Sequence, residues 1–234
     1  MPTAATQQAS VFQTFLRKLL SASALLVFFN TGASASGDTF KERCNNLASQ
    51  SQIEVVFEDS LVKRDDSRTK EELGRLAQSN QNPNHIVLGL THAEPFANSL
   101  VTTQFLADQD GITCAVPSIK VKLGFLKLQV YLAKELDNTC HQSIVLSHEQ
   151  EHIAVWRNHL RAGSKLLTHL LKSEFRQATY FSNREEAGVI LRQRVQSSIA
   201  LQLTNLKLGI LQAHKQIDSP ASYRYEQGRM LACP

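Results

Sequence analysis

The second half of the chain repeats apolar residues at helical spacing, and this pattern restricts the fold more than any other feature. From about residue 143 to about 172 an apolar stripe recurs every three or four residues, which predicts a long amphipathic helix with one buried face. A break at residues 178–183 (ATYFSN) is followed by a second such stripe, from about residue 184 to the pair Ser219-Pro220. Two helices joined by a short break are expected to pack as an antiparallel αα-hairpin.

The first half instead contains short apolar runs separated by turn residues, a pattern typical of strands. Residues 119–123 (IKVKL) alternate between apolar and basic side chains, which indicates a strand with one face in water. The runs that predict strands are residues 53–57, 86–90, 100–105, 119–123 and 129–133. Residues 65–76 can form a helix, and residues 78–84 (QSNQNPN) are expected to form a surface loop. The expected fold class is therefore α+β, a mainly antiparallel sheet followed by the αα-hairpin, in one domain over residues 36–234.

Residues 1–35 have the features of a signal peptide. Arg17 and Lys18 precede an apolar run of 11 residues, 19–29, and the segment 33–35 (ASA) offers the small residues that signal peptidase requires. The run is shorter than the roughly 20 residues of a membrane-spanning helix. We therefore expect cleavage near Ala35, no stable membrane insertion afterwards, and a bacterial protein that is periplasmic or secreted. An uncleaved membrane anchor is the alternative.

The charge of the chain argues against a nucleic acid partner. The full chain carries 25 Lys and Arg and 21 Asp and Glu, a net charge of +4. Two of the basic residues belong to the first 35, so 23 remain against 21 acidic residues, a net charge of +2. A surface with so little net positive charge is not expected to bind the phosphate backbone of a nucleic acid.

The four cysteines, Cys44, Cys114, Cys140 and Cys233, lack the C-x-x-C spacing of metal and redox sites. An even number in an exported chain predicts two disulfides. Of the three possible pairings we favour Cys114 with Cys140, which would tie a strand to the start of the first long helix, and Cys44 with Cys233. Buried free thiols are the alternative.

The sequence His148-Glu149-Gln150-Glu151-His152 lies within the first predicted helix and forms an HExxH motif. Residues four apart share a helix face, so the two imidazoles can bind one metal ion at ~2.0–2.1 Å. Glu149, next to the first ligand, can take a proton from a metal-bound water, while zinc makes that water acidic and polarises a carbonyl. We therefore expect a Zn²⁺ cofactor held by His148 and His152, with Glu149 as the general base.

His214 is the favoured candidate for a third ligand. It continues the stripe of the second helix four residues after Ile210, and the midpoint between Gln150 and His214 is residue 182, inside the predicted break. Antiparallel helices of equal rise bring together residues that are equidistant from their turn. Asp218 is the rival ligand, or the carboxylate that orients His214. An ordinary histidine at a helix end is the alternative for His214.

Further donors and catalytic groups are less favourably placed. Glu174, Glu185 and Glu186 would lie roughly 30 Å from the motif if the first helix is unbroken. Tyr223 and Arg224, beyond the second helix, are candidates to stabilise the oxyanion that develops on an attacked carbonyl, and we select Tyr223 as the second catalytic residue.

The motif at residues 148–152 resembles that of the zincin class of metallopeptidases. The expected order of sheet, HExxH helix and returning helix is also similar to small secreted bacterial families of predicted zinc-dependent proteases. The resemblance implies metal ligands at His148 and His152, a general base at Glu149, and an edge strand that pairs with a peptide substrate; residues 129–133 are the candidate strand. The metzincin pattern HExxHxxGxxH does not fit, because Val155 and Asn158 occupy its glycine and third histidine positions.

Two hypotheses follow from the sequence. The first is an exported zinc metallopeptidase that hydrolyses peptide bonds of a peptide or protein substrate. The second is a non-catalytic envelope protein stabilised by zinc and disulfides, in which four protein ligands would surround the metal. A hydrolase of cell-wall peptides or amides is chemically close to the first.

Overall fold

The computed structural model describes residues 38–77 and 86–234. The signal-peptide prediction and the loop predicted at residues 78–84 fall outside these described residues. In chain order the elements are α1 (Phe40–Ser49), β1 (Ile53–Glu58), β2 (Lys63–Asp65), α2 (Lys70–Leu76), β3 (Gly89–Ala107), β4 (Thr113–Leu132), α3 (Thr139–Glu174), β5 (Thr179–Phe181), α4 (Arg184–Ile217) and α5 (Pro220–Leu231).

Strand β4 is the central strand of the sheet. Its hairpin partner β3 pairs with it antiparallel from Thr113↔Ala107 to Leu132↔Gly89. Because β3 occupies one edge of β4 over its whole length, the short strands pair along the opposite edge: β5 antiparallel at its start, then β1 and β2 parallel to it. Gly111, in the turn between β3 and β4, has a φ of 86°, a conformation that glycine adopts without steric cost.

A bulge in the hairpin keeps one face of β4 apolar throughout. The register shifts between Glu94 and Pro95, opposite Leu126, which is 64% exposed. The odd positions from residue 119 to 125 are buried, such as Leu123, whereas the even positions from 128 to 132 are buried, such as Leu128. One extra residue reverses the alternation of side chains along a strand, so both halves of β4 bury their apolar side against the helices.

Helices α3 and α4 pack against each other and against this apolar face. Gly163 on α3 permits their close approach, since a Cβ added there would lie 3.1 Å from Leu206 on α4. The core of this layer is apolar on both helices and on the sheet: Ile119, Val121, Leu123, Leu167, Leu171, Leu191, Val195, Ile199 and Leu203. The observed bounds extend the first predicted helix by a few residues at each end and confirm the start of the second at residue 184.

The fold class predicted from the sequence, a mainly antiparallel sheet followed by an αα-hairpin, is wrong. Strands β1 and β2 run parallel to β4, and helices α1 and α2 lie among the strands. The expected break at residues 178–183 contains strand β5, which joins the sheet, so α3 and α4 are not joined by a simple turn. Apolar alternation identifies a strand and its buried face but carries no information about the direction of its partner.

Other strand predictions also need correction: residues 86–90 and 100–105, predicted as two strands, fall on one strand, β3, which begins at Gly89. Residues 119–123 and 129–133 belong to one strand, β4, because the bulge at Leu126 interrupts the alternation without ending the strand. Residues 129–133 are also not an edge strand, since Gln129 pairs with His92 of β3 on one side and with Lys63 of β2 on the other.

The four cysteines form two disulfides, as expected, but the predicted pairing is wrong. Cys44 of α1 is bonded to Cys114 of β4, and Cys140 in the first turn of α3 is bonded to Cys233 near the end of the chain. The cause is the sheet: β3 and β5 place the start of β4 beside α1, far from the start of α3. Two such bonds fit a secreted or periplasmic protein. Within the described ranges no helix has both the length and the apolar character that crossing a bilayer requires.

Candidate metal centre

The HExxH motif lies in the first half of α3 and faces the protein interior. The helix begins after Asn138, whose side chain accepts from the backbone N–H groups of Cys140 and His141. His148, Glu149 and His152 are 8%, 4% and 9% exposed. The two Nε2 atoms of His148 and His152 are 3.1 Å apart, so both rings are directed toward one point, as the spacing predicts.

Asp218 brings a carboxylate to the same point. It ends α4, and its Oδ1 lies 3.3 Å from Nε2 of His148 and 3.2 Å from Nε2 of His152. The three donor atoms thus form a nearly equilateral triangle. Tetrahedral zinc with bonds of ~2.0–2.1 Å requires donors about 3.3 Å apart. His148, Asp218 and His152 can therefore hold a metal ion, and they are the one such group within residues 38–77 and 86–234.

The outer nitrogen of each motif histidine has its own hydrogen-bond partner. Nδ1 of His148 lies 2.6 Å from Oε1 of Glu226 on α5. Nδ1 of His152 lies 2.7 Å from Nδ1 of His214 on α4. If both Nδ1 atoms donate, both Nε2 lone pairs are directed into the triangle. Partners of this kind fix the tautomer and the ring orientation of histidines that bind metals.

His214, the predicted third ligand, lies beside the motif but is not one of the converging donors. Its Nδ1 lies against the outer nitrogen of His152, and it is not among the donors close enough to share an ion. Its Nε2 is buried and has no hydrogen-bond partner among the described residues. The position that the sequence assigned to His214 is filled by Asp218, the rival candidate. Asp218 lies four residues after His214 and therefore on the same side of α4, so the choice between them depends on the position of α4 along its axis, and Asp218 is the one that reaches the two Nε2 atoms.

Glu149 is held against strand β3. Its Oε2 accepts a hydrogen bond of 2.7 Å from the hydroxyl of Thr91. A Cβ added to Gly89 would lie 2.5 Å from Oε1 of Glu149 and 2.6 Å from Cγ1 of Val145. Glycine is therefore the residue that allows β3 to approach this carboxylate so closely. Burial raises the pKa of Glu149 above its ordinary value, so this carboxylate binds a proton more readily than an exposed one.

Tyr223 lies beside the triangle rather than apart from it. Its ring stacks on His148 with 5.7 Å between ring centroids, and its hydroxyl donates to Oδ1 of Asp218 at 2.9 Å. Burial and the charge of Asp218 raise the pKa of Tyr223, so its hydroxyl remains a donor. Arg224, the other oxyanion candidate, is exposed on α5.

The electrostatics of the cluster match its hydrogen bonds. Burial lowers the pKa of His148, but its hydrogen bonds to Asp218 and Glu226 and the charge of Glu149 outweigh burial and raise the pKa to about 9. Burial, followed by the nearby charge of His152, lowers the pKa of His214 to about 4. His214 is therefore neutral and can accept from His152. Burial raises the pKa of Asp218, but the hydrogen bonds from the two motif histidines outweigh it and leave the pKa well below its ordinary value.

The sequence interpretation missed Glu226, Thr91 and Gly89. Glu226 had a usable signal: Ser219 followed by Pro220 is a helix start, and on a helix from Pro220 the residues Tyr223 and Glu226, three apart, share a face. Thr91 and Gly89 have no such signal, because only the pairing of β3 with β4 brings them to the motif.

Comparisons with known proteins do not identify a family. No protein-family model matches the chain, and neither the curated proteins nor the solved structures contain a match.

Proposed function

We propose that the protein is a zinc-dependent peptidase, with the metal held by His148, His152 and Asp218. The observation that carries this proposal is the number of donors: three converge on one point, and a buried carboxylate, Glu149, lies next to them on the same helix. Catalytic zinc sites have three protein ligands and leave a position for water, whereas structural sites have four.

The residues described above include the groups that zinc-dependent hydrolysis of a peptide bond needs from the protein. Zinc bound there would supply a Lewis acid that makes water acidic and polarises a carbonyl. Glu149 would accept the proton of the attacking water and pass it to the leaving amine, while Thr91 fixes its carboxylate. Tyr223, a donor beside Asp218, is the candidate to stabilise the oxyanion.

The position of strand β3 is an argument for a peptide as the substrate. Residues 129–133 lie inside the sheet, whereas β3 pairs only with β4 among the residues that the structure describes, and it contacts Glu149 through Thr91. An extended peptide can add to such an edge by main-chain hydrogen bonds. We therefore propose residues 89–94 of β3 as the substrate-pairing strand.

The competing hypothesis, a non-catalytic protein stabilised by zinc, requires a fourth protein ligand. His214 is engaged with His152 and Glu226 with the outer nitrogen of His148, so the contacts favour the catalytic hypothesis. We further propose export through the segment at residues 1–35, with cleavage near Ala35, which is consistent with the two disulfides.

The test is Glu149→Gln in the purified, zinc-loaded protein, assayed on labelled casein and on a peptide library. We expect full zinc content and loss of hydrolysis. Glu151→Gln is the matched control, because Glu151 is in the same motif but exposed, and it should retain activity. Equal hydrolysis by the Glu149 variant, or a wild-type protein that binds no zinc, would overturn the proposal.

A further inference from the structure

Helix α5 is held mainly by polar and covalent contacts. None of its residues is buried, so apolar packing contributes little to its position. Its specific contacts are instead made to the metal centre and to the first turn of α3. We propose that α5 is the element that positions His148 for metal binding: Glu226 is the positioning residue, and the Cys140–Cys233 disulfide keeps it in place. This inference rests on the proposed metal site.

The contact of Glu226 with His148 is the direct part of the proposal. Oε1 of Glu226 lies 2.6 Å from Nδ1 of His148, and its side chain is 16% exposed. A carboxylate at this distance accepts a hydrogen bond from the Nδ1–H of the ring, so the Nε2 lone pair is free to bind the metal. The negative charge of the carboxylate also makes Nε2 a stronger metal ligand. Tyr223, one turn earlier on α5, stacks on the same ring.

The contacts at the far end of α5 explain how Glu226 is held. Cys233, just beyond the helix, is bonded to Cys140 of α3. The neighbouring His141 donates from Nε2 to the carbonyl of Met230 at 3.1 Å, and Asn138 donates from Nδ2 to the carbonyl of Pro234 at 3.2 Å. All of these α3 residues belong to its cap or first turn, two turns before His148.

The two ends of α5 are therefore attached to the two helices that carry the proposed ligands. Its start follows Asp218, a proposed ligand on α4, and its end is bonded covalently to the helix that carries the other two ligands. A segment with little buried apolar surface undocks easily once its attachments are removed. Loss of the disulfide should then remove Glu226 from His148 and weaken the metal site, although neither cysteine is near the metal.

The experiment measures zinc affinity by competition with a chromogenic chelator, and the absorption spectrum of the cobalt-substituted protein. We expect Glu226→Ala to weaken zinc binding roughly 10–100-fold, the range for outer partners of metal-binding histidines, and to shift the cobalt spectrum. Glu226→Gln retains an acceptor without the charge and should recover part of the affinity. Gln227→Ala, an exposed neighbour on α5, is the matched control and should bind like wild type.

The disulfide is tested with the double variant C140A/C233A, alone and combined with Glu226→Ala. If the disulfide acts through Glu226, the disulfide variant should lose affinity to a similar extent, and adding Glu226→Ala should change it little. Fully additive losses would overturn that link. Equal zinc affinity and cobalt spectra in wild type and Glu226→Ala would overturn the positioning role while leaving the proposed function intact. A wild-type protein without zinc affinity would instead refute the proposed function.

Discussion

Replacing Gly89 with alanine should disable Glu149 without touching the metal ligands. The new Cβ would lie 2.5 Å from Oε1 and 2.9 Å from Cγ of Glu149, and 2.6 Å from Cγ1 of Val145. All three distances are below 3.0 Å, closer than a Cβ atom approaches other heavy atoms in proteins. Neither side chain has space to move, because Glu149 is 4% and Val145 6% exposed and the Glu149 carboxylate is bonded to Thr91.

The magnitude follows from overpacking of a filled core, which typically costs about 1–3 kcal/mol. For a protein of this size 1 kcal/mol corresponds to roughly 2–4 °C in Tm, so Gly89→Ala should lower Tm by about 2–12 °C. Displacement of Glu149 from its position should also lower kcat at least tenfold, while zinc content stays at the wild-type level. The measurements are calorimetric unfolding, metal analysis and hydrolysis of labelled casein.

Gly188→Ala is the matched control for this change. Gly188 lies in α4, and a Cβ there would lie 3.8 Å from Cζ of Phe105, an ordinary contact. Alanine in a helix is more stable than glycine by about 1 kcal/mol, so this variant should be slightly stabilised and fully active. Wild-type stability and activity in Gly89→Ala would show that the approach of β3 to Glu149 is not as close as the structure has it.

Three further predictions concern the same centre. Thr91→Val removes the hydroxyl that donates to Glu149, and a hydrogen bond to a charged group is worth about 1.5–3 kcal/mol. We expect kcat to fall about tenfold or more at unchanged zinc content. An unchanged kcat would contradict this role of Thr91. His214→Phe should weaken zinc binding roughly 10–100-fold, as for an outer partner of a metal-binding histidine, and Asp218→Asn should weaken it more; the reverse order would make His214 the ligand. Zinc removal by a chelator should lower Tm, because a bound metal stabilises the folded state, and Tm should recover when zinc is added back; an unchanged Tm would count against binding by the folded protein.

The helices and the motif were predictable because their signals are local. The stripe through α4 follows from residues three and four apart, and its inward members Leu191, Val195 and Ile199 are buried as expected. The convergence of His148 and His152 follows from helical periodicity alone. No tertiary contact is needed for either conclusion.

The identity of the third metal donor could not be predicted from such local signals. The spacing argument placed His214 near the motif, and the structure does bring it to Nδ1 of His152, but not to the triangle of donors. Sequence spacing does not fix the axial position of two packed helices to within one turn, however, and Asp218, one turn after His214 on the same face, is the residue that reaches the triangle. Likewise, counting cysteines predicted two disulfides but not which sulfurs meet, because the pairing depends on where β4 lies relative to α1 and α3.

By itself, the sequence determined that a long helix presents two imidazoles to one point with a carboxylate beside them, since these relations are set within a few residues of chain. The direction of β1 and β2, the position of Gly89 and Thr91 beside Glu149, the Asp218 donor and the Glu226 partner were decided only by the tertiary structure. Each of these depends on contacts between segments far apart in sequence, and their geometry is fixed only when sheet and helices pack together.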